Sequence, residues 1–359
     1  MTWLGDALGR IADDMPDRDL GARAIEIHQR RRRNLISLTA AAVVVVTVLA
    51  ATVGVRALLG PPQETAVPVS PPEQTTIRVG VVPSAASAPL YLANAKGYFE
   101  QEGLTVEPQV LVSVAHAMPL VSRGDLDLGQ TDYYMTFVAA ERGIPLKIVG
   151  SLYQAQPGTT GLVVRARSAI RSVADLKGKK IGVPYLGSIE AFALQATLER
   201  AGLGMSDVKL VETPLPELIT GMEKGRFAAA LLVEPFVTQG VAERRTRLLA
   251  DPMTGNFAGL HTAGWMATDD WVRRNPATLA AFRRALAKAH RLIASDPGQV
   301  EAILPYYIRT TKPTAVKIKQ GAYPATPDMR ELRRLADLAR EKKWLKSPLD
   351  PQDVVVPSG

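Results

Sequence analysis

The chain contains no cysteine among its 359 residues. Disulfide bonds, thiolate chemistry, cysteine-ligated zinc and lipid attachment through an N-terminal cysteine are therefore excluded. Histidine is also scarce. His28, His116, His261 and His290 are scattered, and no two of them have the spacing of a metal-ligating pair. We therefore predict no metal site, and no residue pattern in the chain predicts a cofactor.

Clustered positive charge is also missing from the larger part of the chain. The formal net charge is +8, and this excess lies in residues 76–359, where cations are interspersed with acids. No basic run interleaved with aromatic residues occurs there. Such a run would be expected of a nucleic-acid-binding surface, so no nucleic-acid partner is predicted.

One long stretch lacks charge altogether. The stretch 35–55 is uncharged and apolar, and it follows four consecutive arginines, Arg30–Arg33. A helix of this length is about 30 Å long, which matches one hydrocarbon core. The leader before it is longer than a usual signal-peptide n-region, so we favour an uncleaved signal anchor at 35–59 over a cleaved signal. The arginines place the segment 1–34 in the cytoplasm and the rest of the chain outside the cell membrane.

A proline-rich linker follows this predicted membrane segment. Residues 60–76 contain five prolines and few large apolar side chains. Such a composition favours an extended, semi-rigid spacer, which would hold the following domain away from the membrane.

From Ile77 onward, short strand-like runs alternate with amphipathic helices. This alternation predicts an α/β fold with mostly parallel strands. The pattern occurs twice, since VSRGDLDLGQTD and MEKGRFAAALLVEP both run from a helix ending in glycine into a strand of small residues. Two similar α/β lobes are therefore expected, followed by helices in the C-terminal part.

Four stretches in this region resemble a known family. They are IRVGVVPSAASAPLYLANAKGYFEQEGLTVE, LVSRGDLDLGQTDYYMTFVAAERGIPLKIVG, VADLKGKKIGVPYLGSIEAFALQATLERAGL and GRFAAALLVEPF. Together they resemble the substrate-binding proteins of ABC importers with the type II periplasmic-binding-protein fold. Within these proteins the resemblance is to the nitrate, sulfonate, taurine and thiamine-precursor group, also called NMT1/THI5-like.

The resemblance implies a two-lobed domain with the ligand in the cleft between the lobes. Lobe 1 would comprise 77–160 and 263–345, lobe 2 would comprise 161–262, and 346–359 would form a C-terminal tail. The chain would cross between the lobes near GTTGLVV and HTAGWMA. Independently, ligands of open α/β sheets lie at the carboxyl ends of the strands.

The candidate ligand-binding residues lie at these predicted strand ends. Small residues and hydroxyls follow the first strand, and a helix that begins at Gly187 and Ser188 has free N–H groups suited to an anion. Glu190 in its first turn weakens the case for a sulfonate or nitrate. Glu234 could accept a hydrogen bond from an amine or aminopyrimidine, and Trp265 could form an aromatic wall. The full candidate set is Ser84, Ser87, Thr131, Asp132, Tyr133, Tyr185, Gly187, Ser188, Glu234 and Trp265.

The stretch RGDLDLGQTDYYM superficially resembles a calcium loop, because Asp125, Asp127 and Asp132 lie close together. The rest of the EF-hand pattern is missing, with Gly129 at its fifth position. We interpret Asp127 to Gly129 as a short strand of lobe 1 and Thr131 to Tyr133 as the loop facing the cleft. Asp132 could equally cap the following helix.

These patterns predict a membrane-anchored solute-binding protein, without catalytic residues, that delivers a small organic molecule or anion to an ABC permease and ATPase. A ligand sensor that signals through residues 1–34 is the first alternative. A thiamine-pyrimidine biosynthetic enzyme is the second. Related fungal enzymes carry a cysteine-rich motif that this cysteine-free chain lacks, and we find no nucleophile–base pair or G-x-S-x-G motif.

Overall fold

A computed structural model describes residues 70–357 of the chain. The predicted cytoplasmic segment 1–34, the anchor 35–59 and most of the linker 60–76 lie outside the described residues. Within 70–357, no helix is long and apolar enough to cross a membrane.

Ten strands in the described region form two five-stranded sheets. The first sheet has the order β2-β1-β3-β10-β4, and the second has the order β7-β6-β8-β5-β9. The strands are β1 Thr76–Val81, β2 Thr105–Val110, β3 Leu128–Asp132, β4 Leu146–Gln154, β5 Thr160–Arg165, β6 Lys180–Val183, β7 Lys209–Glu212, β8 Ala229–Val233, β9 Thr246–Ala250 and β10 His261–Thr268.

Each sheet combines a parallel core with antiparallel strands. β1 pairs in parallel with β2 and β3, and β10 runs antiparallel to β3 and β4. The second sheet repeats this arrangement, with β6 parallel to β7 and β8, and β5 antiparallel to β8 and β9. The predicted α/β fold with two similar halves is therefore confirmed. We call the halves built on the first and second sheets lobe 1 and lobe 2.

Helices cover these sheets and connect their strands. Pro276 occupies the first turn of the longest one, where its missing N–H has no intrahelical partner to lose. The helices are α1 Ala88–Ala95, α2 Tyr98–Gln101, α3 Ala117–Ser122, α4 Tyr133–Glu141, α5 Ile189–Arg200, α6 Leu218–Glu223, α7 Phe236–Ala242, α8 Asp269–Arg274, α9 Pro276–Ser295, α10 Gly298–Ile303, α11 Lys312–Ala315 and α12 Met329–Glu341.

Two segments connect the lobes. The chain leaves β4 at Gln154 and enters β5 at Thr160, and it returns from Ala250 to β10 at His261. Asp251 joins the two segments, because one carboxylate oxygen accepts a hydrogen bond from the backbone N–H of Gly158 at 2.7 Å and the other accepts from Met253 at 2.9 Å. These connections lie beside the crossings that the sequence predicts. The lobe boundaries remain predictions.

The C-terminal residues join lobe 1. Backbone hydrogen bonds link Ile148 of β4 to Val354 at 2.7 Å and to Val356 at 2.9 Å, and Val354 is buried in the core of that lobe. Part of the segment predicted as a tail therefore extends the edge of the first sheet.

Candidate ligand-binding site

The strand ends of both lobes surround a cavity of about 100 Å³. Apolar side chains such as Val82, Val112 and Leu231 form part of its wall. The polar part of the wall combines groups from both lobes, as expected where the carboxyl ends of several strands meet. The polar lining residues are Ser84, Ser113, Gln130, Thr131, Asp132, Tyr153, Thr159, Thr160, Tyr185, Ser188, Glu190, Glu234 and Thr262.

Asp132 connects the two lobes at this cavity. It is the last residue of β3, and its Oδ1 caps α4 by accepting the backbone N–H of Tyr134 at 2.8 Å. Its Oδ2 accepts the backbone N–H of Ile189 at 2.8 Å and the hydroxyl of Tyr185 at 3.0 Å, both from lobe 2. Asp132 therefore has both of the positions that the sequence allows, since its side chain caps a helix and also faces the cleft.

The N-terminus of α5 completes this part of the wall. The Ser188 hydroxyl accepts the backbone N–H of Ala191 at 3.0 Å, which is a standard N-cap contact. The N–H of Ile189 is bound to Asp132. The first turn of the helix is therefore already occupied by oxygen atoms of the protein. These contacts leave fewer free N–H groups at this helix start than an anion-binding site would need.

Glu234 makes a second connection between the lobes. It follows β8 directly, and its carboxylate accepts the hydroxyl and backbone N–H of Thr238, at 2.7 and 3.1 Å. The backbone N–H of Lys319 in lobe 1 donates to the same carboxylate at 3.1 Å. The carbonyl oxygen of Glu234 also accepts the N–H of Ala85 at 3.0 Å. Lobes closed on each other in this way define the size of the cavity.

Burial changes the ionisation of these acids. Burial raises the pKa of Asp132 well above its ordinary value, and the charge of neighbouring Glu190 raises it further, although three hydrogen bonds oppose the shift. Burial likewise raises the pKa of Glu190 and of Glu234. The pKa of Tyr185 is raised by burial and by the charges of Asp132 and Glu190, so its hydroxyl remains a donor.

Six of the ten predicted ligand residues line the cavity. These are Ser84, Thr131, Asp132, Tyr185, Ser188 and Glu234. Whether any of them binds a ligand stays a prediction.

The other four predicted residues do not line the cavity. Trp265 is fully buried in the core of lobe 1, where its ring packs edge-to-face on Phe282. Tyr133 is also fully buried, and its hydroxyl donates to Ser151 at 3.2 Å. Each side chain packs in the core of lobe 1 instead of facing the cleft, and the local sequence does not determine this.

Ser87 and Gly187 lie near the cavity without lining it. The Ser87 hydroxyl turns back to the carbonyl oxygen of Val82 at 2.5 Å and to Gln130 at 3.3 Å. Gly187 precedes the helix cap and packs near Met135. Both residues support the site from outside the cavity wall.

Sequence reasoning missed Gln130 as a functional candidate. Its Oε1 accepts the backbone N–H of Val82 at 2.9 Å, so the amide nitrogen is the part of the side chain left for the cavity. A polar residue within the small, buried strand LGQTD was the available signal, because polar groups in a core need a partner. Thr160 and Thr262 were missed for a different reason. They lie at the start of β5 and β10, whereas the predictions considered the carboxyl ends of strands.

Comparisons with solved structures identify the fold. The alkanesulfonate-binding protein SsuA from Xanthomonas axonopodis pv. citri superposes with a TM-score of 0.67 at 19% identity, covering 80% of this chain and 99% of that one. The periplasmic nitrate-binding protein NrtA from Synechocystis PCC 6803 has a TM-score of 0.66 at 15% identity, covering 80% and 87%. The predicted two-lobed periplasmic-binding-protein fold is therefore confirmed, and at these identities the likeness concerns the fold alone.

The curated relatives are named either as enzymes or as binding proteins. The 4-amino-5-hydroxymethyl-2-methylpyrimidine phosphate synthase of Schizosaccharomyces pombe is 27% identical over 221 residues, which are 59% of this chain and 63% of the synthase. The chain thus spans less than two thirds of that relative. A Brucella abortus protein named as a binding protein is 23% identical over 275 residues, covering 73% of this chain and 84% of that one.

The family model of NMT1/THI5-like proteins matches residues 84–300. The match includes every strand from β2 to β10 and all of the polar residues that line the cavity, from Ser84, its first residue, to Thr262. Because more than half of the chain is matched, the protein belongs to the NMT1/THI5-like family.

Proposed function

We propose that the protein is a solute-binding protein that captures a small organic molecule in the cleft and delivers it to the permease and ATPase of an ABC importer. The observation that carries the proposal is the cavity whose wall is shared between two lobes, with Asp132 and Glu234 each accepting hydrogen bonds from the opposite lobe. A ligand held there contacts both lobes at once. Its binding energy therefore favours the closed arrangement, which is the form that a transporter can distinguish.

The composition of the wall favours binding over catalysis. The lining residues include no lysine, histidine or cysteine that could act as a nucleophile or form a Schiff base. Asp132 and Glu234 each accept three hydrogen bonds from protein groups, so neither is free to serve as a general base. The lining residues therefore supply no lysine, histidine or cysteine for a synthase activity like that in the name of the fungal relatives.

Membrane attachment through residues 35–59 is part of the same proposal. The uncharged stretch after four arginines supports a single-pass anchor with residues 1–34 in the cytoplasm and the two-lobed domain outside. Attachment would hold the domain near its importer, and the proline-rich linker would give it reach. Alkaline carbonate extraction tests this. The full chain should stay in the membrane pellet, whereas a variant lacking 35–55 should be released.

Ligand binding is tested by a thermal-shift screen of the full chain. The panel should contain sulfonates, nitrate, pyrimidine precursors, other heterocycles and small amines. A ligand present at 100 times its Kd stabilises the folded state by about 2.7 kcal/mol, which is readily seen as a rise in Tm. If no compound in this panel raises the Tm, the proposed function is wrong.

A further inference from the structure

The ionisable groups that line the cavity are all acids or weakly acidic hydroxyls. Asp132, Glu190 and Glu234 contribute three carboxyl groups, and no lysine, arginine or histidine is among the lining residues. A buried anion needs opposite charge or several charge-assisted donors. The wall offers a sulfonate or nitrate neither an opposite charge nor charge-assisted donors.

Only one of the three carboxyl groups is left for a ligand. Asp132 and Glu234 are each held by three protein hydrogen bonds, as described above. The donors near the Glu190 carboxyl are the Ser188 hydroxyl and its own backbone N–H, both within the first turn of α5. Across the cleft, none of the described residues donates to Glu190.

The helix start itself has no free donor for an anion. The N–H of Ile189 is bound to Asp132, the N–H of Glu190 is turned to its own carboxyl group, and the N–H of Ala191 is bound to Ser188. Carboxylate oxygens already occupy the position where a helix N-terminus would otherwise attract an anionic ligand.

A second observation points to a ligand independently of the acids. Thr160 and Thr262 are 2% and 3% exposed and line the cavity, and their hydroxyls make no hydrogen bond to another described residue. The amide nitrogen of Gln130, a residue 4% exposed, is also left for the cavity. Polar groups that face a cavity without a protein partner are available to a bound molecule.

We propose that the cavity selects a compact organic cation, an amine or amidine, whose N–H groups bind Glu190 and whose other end offers an acceptor to the Gln130 amide. This assignment rests on the proposed function. The volume limits the ligand, since about 100 Å³ is smaller than an engineered 150 Å³ cavity that accommodates benzene. The threonine hydroxyls can donate or accept, so they fit either end of such a molecule.

The experiment compares isosteric probes that differ in charge. Acetamidinium, acetamide and acetate have nearly the same shape and are smaller than benzene, whereas benzamidinium, benzamide and benzoate form a larger trio that tests the size limit. Binding of each to the full chain is measured by calorimetry and by thermal shift at neutral pH. A hydrogen bond to a charged group contributes enough for roughly a ten- to hundred-fold preference, so we expect the amidinium of at least one trio to bind at least ten-fold more tightly than its amide.

Glu190→Gln is the decisive variant because it keeps the shape and removes the charge. It should lower the affinity for the amidinium by roughly ten-fold or more while leaving the amide nearly unaffected. Glu217→Gln is the matched control, since it removes an exposed lobe 2 carboxylate, 58% exposed, that pairs with Arg226 outside the cavity. The Tm of each variant without ligand verifies that it folds.

The outcomes separate the two proposals. If benzoate, acetate or a sulfonate binds as well as the amidinium, or if Glu190→Gln leaves the preference unchanged, the cation assignment is overturned and the solute-binding function stands. The same holds if only neutral heterocycles bind. If neither the amidinium probes nor any compound of the broader panel binds, both proposals fail together.

Discussion

At the scale of single residues, Asp132 shows how one side chain can serve both the fold and the site. Its carboxylate caps α4 within lobe 1 and also holds the start of α5 in lobe 2. A buried carboxylate with three donors is tolerated because each donor offsets part of the lost hydration. The same contacts leave it little capacity for a ligand, which shifts the binding role to Glu190.

Removing this carboxylate should destabilise the protein. Asp132→Ala would leave two backbone N–H groups and the Tyr185 hydroxyl without their acceptor, in a buried setting. We expect a loss of about 2–4 kcal/mol in the free energy of unfolding, measured with urea. Asp125→Ala is the control from the turn before β3, because Asp125 is 53% exposed and pairs only with exposed Arg123. It should change stability by less than about 0.5 kcal/mol. Equal effects of the two substitutions would contradict this role for Asp132.

The raised pKa values make stability depend on pH. Burial raises the pKa of Asp132 and Glu190 in the folded chain, whereas both titrate near about 4 when unfolded. At pH values between the unfolded pKa and the raised folded pKa, the folded state binds more protons than the unfolded state. This contribution to stability is therefore complete at low pH and is lost as the pH rises through the raised pKa values.

Glu190→Gln should remove part of this dependence. Its free energy of unfolding should match that of the unchanged protein near pH ~4 and exceed it at neutral pH, since the variant no longer buries two neighbouring charges. Urea unfolding at several pH values measures the difference between the two proteins. Glu234 remains in both and cancels, whereas loss of the Glu190 charge lowers the pKa of Asp132 and so adds to the difference. A difference that does not vary with pH would refute the electrostatic account.

At the scale of elements, α5 of lobe 2 and the end of α12 of lobe 1 form a second contact beside the cavity. The rings of Phe192 and Trp344 stack with centroids 3.6 Å apart, and Tyr134 meets Phe192 edge-on at 4.5 Å. The indole N–H of Trp344 donates to Gln195 at 3.2 Å. Since α5 also carries Ser188 and Glu190, this aromatic contact fixes the position of the helix that lines the site.

Shortening Trp344 should weaken this contact. Trp344→Ala removes the stacked ring and the hydrogen bond to Gln195, and we expect it to lower the free energy of unfolding by about 3 kcal/mol. Trp344→Phe keeps an aromatic ring against Phe192, so most of the stability should return. Urea denaturation followed by circular dichroism measures both. If the phenylalanine variant is no more stable than the alanine variant, stacking is not the main contribution.

At the scale of the whole molecule, the described residues form two lobes joined by two crossings and closed on each other. Asp251 ties the crossings together, while the contacts across the cleft lie farther out, at Asp132, Glu234 and Trp344. Cross-cleft contacts remote from a short connection allow a hinge motion, since opening breaks them and leaves each sheet intact.

The absence of cysteine makes this motion measurable with site-specific labels. Glu199 and Lys342 face each other across the cleft at 3.1 Å. Spin labels on a Glu199→Cys/Lys342→Cys variant should give one short distance when the protein is saturated with ligand and a longer or broader distribution without it. Labels replacing Glu102 and Lys288, which pair within lobe 1 at 2.7 Å, should give the same distance in both states. An unchanged distance across the cleft would argue against hinge closure.

Much of the site could be anticipated because strand ends are marked locally. Ser84, Asp132, Ser188 and Glu234 each follow a run of small apolar residues, and in an α/β sheet such positions meet at one edge. Trp265 and Tyr133 show where this reasoning ends. Tyr133 directly follows β3, and Trp265 lies within β10. The side of the sheet on which a strand side chain falls depends on register, and a shift of one residue reverses it.

The sequence by itself determined the α/β class, the repetition of two similar halves and the family, because these depend on hydrophobic periodicity and on the order of local motifs. It also limited the chemistry, since a chain without cysteine cannot use a thiol. Only the tertiary structure decided which carboxyl groups are occupied and which one is free. Asp132 meets Ile189, and Glu234 meets Lys319, across distances in sequence that no local pattern spans. The charge of the cavity wall is a sum over residues from both lobes, so it exists only once the chain has folded.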